Sequence, residues 1–210
     1  MLKDARFQAS AAKEGTFIAG YTVIADVGST LIKLLRDQMT PEPVAQPELI
    51  GMASPADKGD LSLSLYLFNI KENGESRRTQ MQPLGTGELQ YPPLAINLHY
   101  LLTAHSAADM QSRTLDEHRM LGRALQLLHD HAVIRGPLLQ GGLAESGEEI
   151  QIAVESIASD TLTGFWNFGD APYKMSLVLR VGPVFLDSTR TRKASRVIER
   201  EIRLQDKDDN

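Results

Sequence analysis

Apolar residues fall on every second position in four separate stretches of this chain, and that spacing dictates strands. Leu61, Leu63, Leu65 and Leu67 alternate with Ser62 and Ser64. Ile96, Leu98, Tyr100 and Leu102 alternate with Asn97, His99, Leu101 and Thr103. Ile150, Ile152 and Val154 make a third set, and Tyr173, Met175, Leu177, Leu179 and Val181 a fourth. A period of two is that of a β-strand with one face turned to a core. From Tyr66 onward both faces of the first strand are apolar, so that end is expected to be covered on both sides. Pro183 is expected to break or bulge the last strand before Phe185.

A sheet with an apolar face needs a layer on top of it. Two helical segments can supply one. Phe17, Tyr21, Ile24, Gly28, Leu31 and Leu35 recur every three or four residues, the spacing of one helix face. Thr22, Asp26, Lys33 and Asp37 lie largely off that stripe, Thr16 serves as N-cap, and Pro41 and Pro43 end the helix. In the second segment Thr114 and Glu117 form a capping box. Leu121, Leu125, Leu128 and Ala132 are its expected buried stripe, with Asp116, Arg119, Arg123 and Gln126 solvated. Gly136-Pro137 closes that region, and Ser159 begins a short aromatic helix through Leu162, Phe165 and Trp166 that Gly169 can end.

Asn73-Gly74 marks a turn, and the polar, Gly-rich stretch from Glu75 to Gln90 reads as a long mobile loop. The order of elements predicts an α+β fold: a mixed, mainly antiparallel sheet packed by a long N-terminal helix and a second amphipathic helix. Residues 1–15 are expected to be a flexible N-terminal arm and 16–187 a single domain. Residues 188–210 read as a C-terminal arm with a disordered end, too poor in apolar side chains to be core.

Composition removes several function classes. The 210 residues include no cysteine, which excludes disulfides and thiolate chemistry. A net charge of -5 gives no general attraction for nucleic acid or anionic lipid. The N-terminal stretch has no apolar run suited to a signal peptide, and apolar runs elsewhere are interrupted, so no membrane-spanning helix is expected.

Catalytic and metal motifs fare no better. His129 and His131 stand two apart on a helix and point away from each other, so they cannot chelate one ion. His99 and His105 would lie about 20 Å apart on one regular strand. No nucleophile elbow or phosphate-binding loop is present, and Gly85-Thr86-Gly87 lacks the flanking strand and helix. The most tangible enzyme reading is a hydrolase using His99 or His105 with Asp109. No cofactor and no metal is expected. Arg190-Thr191-Arg192-Lys193 reads as a solvated or protein-binding stretch in a net acidic chain rather than a phosphate site.

Several segments in order resemble a known family. They are the helix from about Phe17; Leu65-Tyr66-Leu67-Phe68-Asn69-Ile70 with Glu72-Asn73 and Arg77-Arg78; and Tyr91-Pro92-Pro93-Leu94-Ala95-Ile96-Asn97-Leu98-His99-Tyr100-Leu101-Leu102-Thr103-Ala104. Leu121-Gly122-Arg123-Ala124-Leu125 and Phe165-Trp166 with Tyr173-Lys174-Met175-Ser176-Leu177 complete the set. Together they are similar to the N-terminal-domain family of cap, or tail-terminator, proteins of extracellular contractile injection systems.

The resemblance implies a phage tail-terminator-like fold and a structural, non-enzymatic role: a homohexameric ring that ends the inner tube and contacts the last sheath ring. The implied partners are further copies of the chain, the inner-tube protein and the sheath protein, with no nucleic acid and no membrane. Assembly is expected in the bacterial cytoplasm, with release in a phage-tail-like particle by lysis. A baseplate or chaperone-like adaptor of the same machine is the alternative. The residues expected at a partner interface are Arg77, Arg78, Arg190, Arg192, Lys193, Arg196, Arg200 and Arg203. The arm from about Asp187 to Gln205 is expected to complete a sheath sheet by strand addition.

Overall fold

The computed structural model describes residues 20–158 except 56 and 86, residues 164 and 166, and residues 173–194. Six strands form the main sheet: β1 (Ile50–Met52), β2 (Leu63–Glu72), β5 (Leu94–Ala104), β6 (Val133–Arg135), β7 (Glu149–Glu155) and β8 (Ser176–Leu186). Their order is β1-β2-β5-β8-β7-β6. The β1–β2 pair is parallel and the others antiparallel. This is the mixed, mainly antiparallel α+β sheet expected of the sequence.

Helices α1 (Val23–Met39) and α2 (Met110–Asp130) pack on the sheet, and a short α3 (Gly142–Ser146) packs beside α1. Gly28, Leu31 and Leu35 of the predicted stripe are buried in α1, together with Val23, Val27 and Leu34. At Gly28 the Met52 side chain comes close: a Cβ there would stand 2.9 Å from its Sδ, so the flexible thioether would have to shift. The helix ends at Met39, just before Pro41 and Pro43. Its start differs from the expectation: the N-cap is Thr22, and Tyr21 is 90% exposed. Thr16 and Phe17 lie outside the described residues.

The stripe of α2 needs correction. Leu121 and Leu128 are buried as expected, but Leu125 is 42% exposed and Ala132 is exposed. The buried set is Met120, Leu121, Ala124, Leu127 and Leu128. That arc centres on Ala124, which is fully buried. Leu125 lies about 100° around the helix from it. The start is also earlier than predicted, with Asp109 at the N-cap and Thr114 inside the helix. Glu117 instead accepts the Ser106 N–H at 3.2 Å.

Strand alternation holds in the middle of the sheet. Leu98, Tyr100 and Leu102 are buried, as are Leu179 and Val181 beside them. Leu101 and Val178, on the opposite face, are buried too. The ends differ from the prediction. The first strand is buried over Leu63–Leu65 and opens outward from Tyr66, the reverse of the expected pattern. Tyr173 and Met175 precede β8 and are exposed, and Val154 is half exposed. The ladder shifts register between Ile96 and Leu98, opposite Gly182-Pro183, so the chain bulges there and the strand continues. Most of the aromatic segment 159–169 lies outside the described residues; Trp166 is buried, 6.1 Å from the Tyr173 ring.

The stretch from Glu75 to Gln90 is not one long loop. It carries a hairpin of β3 (Gln82–Leu84) and β4 (Glu88–Gln90), and β9 (Thr191–Lys193) joins as a third strand in the order β3-β4-β9. Gly85 and Gly87 take positive φ values of 64° and 92° in the turn, which explains glycine at both places. The sequence hides this hairpin because each strand has only three residues, too few for a visible period.

Candidate functional site

The small sheet prolongs the β5–β8 pair. Leu94 faces Leu186, and a few residues farther along Gln90 faces Thr191. Between them the Tyr91 N–H bonds the Arg190 carbonyl at 3.0 Å. The result is a ribbon that runs on beyond the six-stranded sheet. Gln90 ties it down by donating to the Ser188 carbonyl at 2.6 Å.

The predicted basic residues that the structure describes lie on this ribbon or in the segment leading into it, and they differ in role. The Arg78 guanidinium donates to both carboxylate oxygens of Glu148, at 2.8 and 2.9 Å, and lies 3.6 Å over the Phe185 ring. It fastens the segment between β2 and the hairpin to the main sheet. Arg77 pairs with Glu72 at 3.3 Å across an exposed surface. Arg190 stacks on Tyr91 at 4.1 Å. Arg192 and Lys193 are exposed and have no ion pair among the described residues. Arg196, Arg200 and Arg203 lie outside the described residues.

The backbone of β9 is half used. Tyr91 bonds Arg190, and the Ala194 N–H bonds the Gly87 carbonyl at 2.8 Å. By antiparallel alternation, the main-chain groups of Thr191 and Lys193 point away from β4, toward an edge with no paired strand among the described residues.

At the other end of the main sheet lies a feature the sequence reading passed over. The chain enters β1 through Glu48, and the β1–β2 connection carries Asp57 and Asp60, all three exposed. Ser62 donates its N–H to the Leu49 carbonyl at 2.8 Å, which joins the two segments into one acidic corner. The only sequence signal was acids flanking a three-residue strand. Next to it, Arg36 of α1 places Nε and Nη2 on the Ile50 carbonyl at 2.9 and 2.7 Å.

His99 and His105 are buried and engaged in packing, whereas His118 and His129 are exposed. His105 is 3% exposed and its Nε2 meets Ser64 Oγ at 2.9 Å. Burial, then the charges of Lys174 and Lys58, lower its pKa to about 4, so the ring is neutral at pH 7. Nearby, burial alone would raise the Glu117 pKa, but the Lys174 ammonium and the Ser106 N–H outweigh it and hold the pKa below its usual value. His99 Nδ1 sits 3.2 Å from Glu155, whose other oxygen accepts from Arg180 at 2.9 Å. Asp109 stands at the α2 N-cap, and neither histidine pairs with it; their partners are Ser64 and Glu155. His131 lies at the α2 C-terminus with Nδ1 on the Leu127 carbonyl. Among the described residues no three His, Asp or Glu side chains converge as metal ligands, and no helix is long and apolar enough to cross a membrane.

Comparison with known proteins places this arrangement. No curated protein matches the chain significantly. Two solved structures share its fold. One is the sheath/tube terminator of the extracellular contractile injection system PVC, in its extended state. It has 17% identity and a TM-score of 0.63 over 88% of this chain. The other is the tube-terminating cap of the anti-feeding prophage, AFP, with 18% identity and a TM-score of 0.59 over 86% of this chain. The chain spans 64% and 61% of those two chains, less than two thirds of their length. The model of the Pvc16 N-terminal domain matches residues 26–200. Because that match covers most of its length, the chain belongs to the Pvc16 N-terminal domain family.

Proposed function

We propose that the protein is the structural cap of a contractile injection system, a hexameric ring that ends inner-tube polymerisation and contacts the last sheath ring. The observation that carries this reading is the family match over residues 26–200, joined to a fold shared with two terminators. A terminator must complement the exposed tube end and offer an outer face on which nothing further stacks. Rigid geometry serves that task, and the Arg78 clamp and Arg36 tether both supply rigidity.

The protein acts without catalysis, cofactor or metal. Its partners are further copies of itself, the inner-tube protein and the sheath protein, with neither nucleic acid nor membrane involved. The basic residues Arg77, Arg190, Arg192, Lys193, Arg196, Arg200 and Arg203 belong to the partner interface, and Arg78 braces it from within the domain through Glu148 and Phe185. Assembly takes place in the bacterial cytoplasm before the particle is released by lysis.

Negative-stain imaging of particles tests the role. Particles made with the protein should show a ring about as wide as the tube at the end opposite the baseplate. Particles made without it should be unstable or irregular in length. A tagged protein found at the baseplate, or uniform tail length in its absence, overturns the reading.

A further inference from the structure

A ring built from one kind of subunit needs two different patches on each chain, each complementing the other. The protein carries two such patches. At the ribbon tip Arg190, Arg192 and Lys193 are exposed. At the acidic corner Glu48, Asp57 and Asp60 are exposed and have no ion pair among the described residues. Lys58, in the same corner, turns its Nζ onto the Gly59 carbonyl at 2.9 Å.

The two patches cannot neutralise each other within one chain. The corner adjoins Leu63, which faces Ala104, whereas Gln90 faces Thr191. The run from Gln90 to Ala104 therefore separates them, roughly 45 Å at about 3.3 Å per residue. That is several screening lengths at physiological salt.

We propose that the basic ribbon tip of one copy docks on the acidic β1–β2 corner of the next, and that this contact closes the ring. The inference rests on the ring reading above and names the surfaces that make it. The contact is head to tail, so it repeats by rotation and leaves no free patch once the ring is closed. The outward N–H groups of Thr191 and Lys193 add main-chain donors for the corner carboxylates, beside the two cationic side chains. Such a contact steers assembly and fixes register more than it adds raw affinity.

Charge exchange tests it. One variant reverses the tip, Arg192→Glu with Lys193→Glu. A second reverses the corner, Asp57→Lys with Asp60→Lys. A third carries all four changes. Ring content is read by sedimentation velocity and negative stain, free and on tube ends, at low and high salt. Each two-residue variant should lose more than about tenfold in ring content, because like charges then face each other. Mixing the two in equal amounts should restore rings of alternating subunits, and so should the four-fold variant. Wild-type rings should weaken as salt rises. Rings that ignore either reversal, or a loss that mixing does not repair, overturn this inference alone. A tip reversal that keeps rings but loses the sheath assigns the tip to the sheath and also overturns it. A wild-type chain that forms no ring, free or on tube ends, overturns the ring reading and this inference together.

Discussion

The Arg78 guanidinium lies 3.6 Å over the Phe185 ring while it grips the Glu148 carboxylate with two hydrogen bonds. One side chain thus joins the segment leading into the hairpin, the end of β8 and the residue just before β7. Its exposure is about a third, so solvent screens part of the attraction. Arg78→Ala should cost about 1 kcal/mol by urea unfolding, the sum of a modest cation–π contact and a partly screened ion pair. Arg78→Lys should recover less than half, because an ammonium cannot stack and fork together. Equal stability of all three proteins would remove Arg78 from the structural frame.

The corrected face of α2 makes an opposed pair of expectations. Ala124→Asp places a carboxylate in the core and should unfold the domain, since an unpaired buried charge costs several kcal/mol. Leu125→Asp, on the exposed side, should cost about 1 kcal/mol or less, mostly as helix propensity. Circular dichroism and thermal melting separate the two. A collapsed Leu125→Asp variant beside an intact Ala124→Asp variant would restore the stripe that spacing alone suggests.

His105 should make stability depend on pH in a defined window. Unfolded, its imidazole takes up a proton near pH 6.5; folded, burial and two nearby ammonium groups delay that to about pH 4. Between those values the unfolded state binds more protons, so stability falls as pH drops from about 6.5 toward 4. The full loss is on the order of 3 kcal/mol. Glu117 acts in the same direction at lower pH: its folded pKa is depressed, so its contribution is lost as pH falls through that value. Urea unfolding at pH 7.5, 6, 5 and 4.5 should show the slope, and His105→Gln should flatten it above pH 5. An unchanged slope in that variant assigns the effect to other groups.

Gly182 sits at the bulge opposite Asn97. A Cβ there would lie 2.4 Å from Asn97 Oδ1 and 2.9 Å from the Ile96 carbonyl oxygen. The second neighbour is backbone inside a ladder and cannot step aside cheaply. Gly182→Ala should therefore destabilise the domain by roughly 2 kcal/mol. Gly122→Ala, whose Cβ would meet nothing within 4 Å on the exposed side of α2, should be neutral or slightly stabilising by melting temperature. The reverse ranking would refute the close approach at the bulge.

Periodicity was enough to recover the middle of this fold, and local spacing was not enough to orient its edges. Alternation at Leu98, Tyr100 and Leu102 reports a strand because a pleated backbone turns every second side chain to the same face, whatever lies next to it. The spacing of Gly28, Leu31 and Leu35, with Pro41 and Pro43 beyond, reports a helix and its end for equally local reasons. Segment order then yields the α+β class, and the ordered motifs yield the family. What spacing cannot supply is the direction of the neighbouring layer. Leu121, Leu125 and Leu128 share an arc in sequence, but the buried face of α2 centres on Ala124, so Leu125 turns outward. Three-residue strands such as β3, β4 and β9 carry no readable period and exist only because their partners are brought beside them. The basic residues were visible as composition. Only tertiary pairing decided that Arg78 is spent inside the domain, that Arg192 and Lys193 face out, and that an acidic corner stands at the far end of the same strands. Charge is a property of the residue, whereas its availability depends on which other segments fold against it.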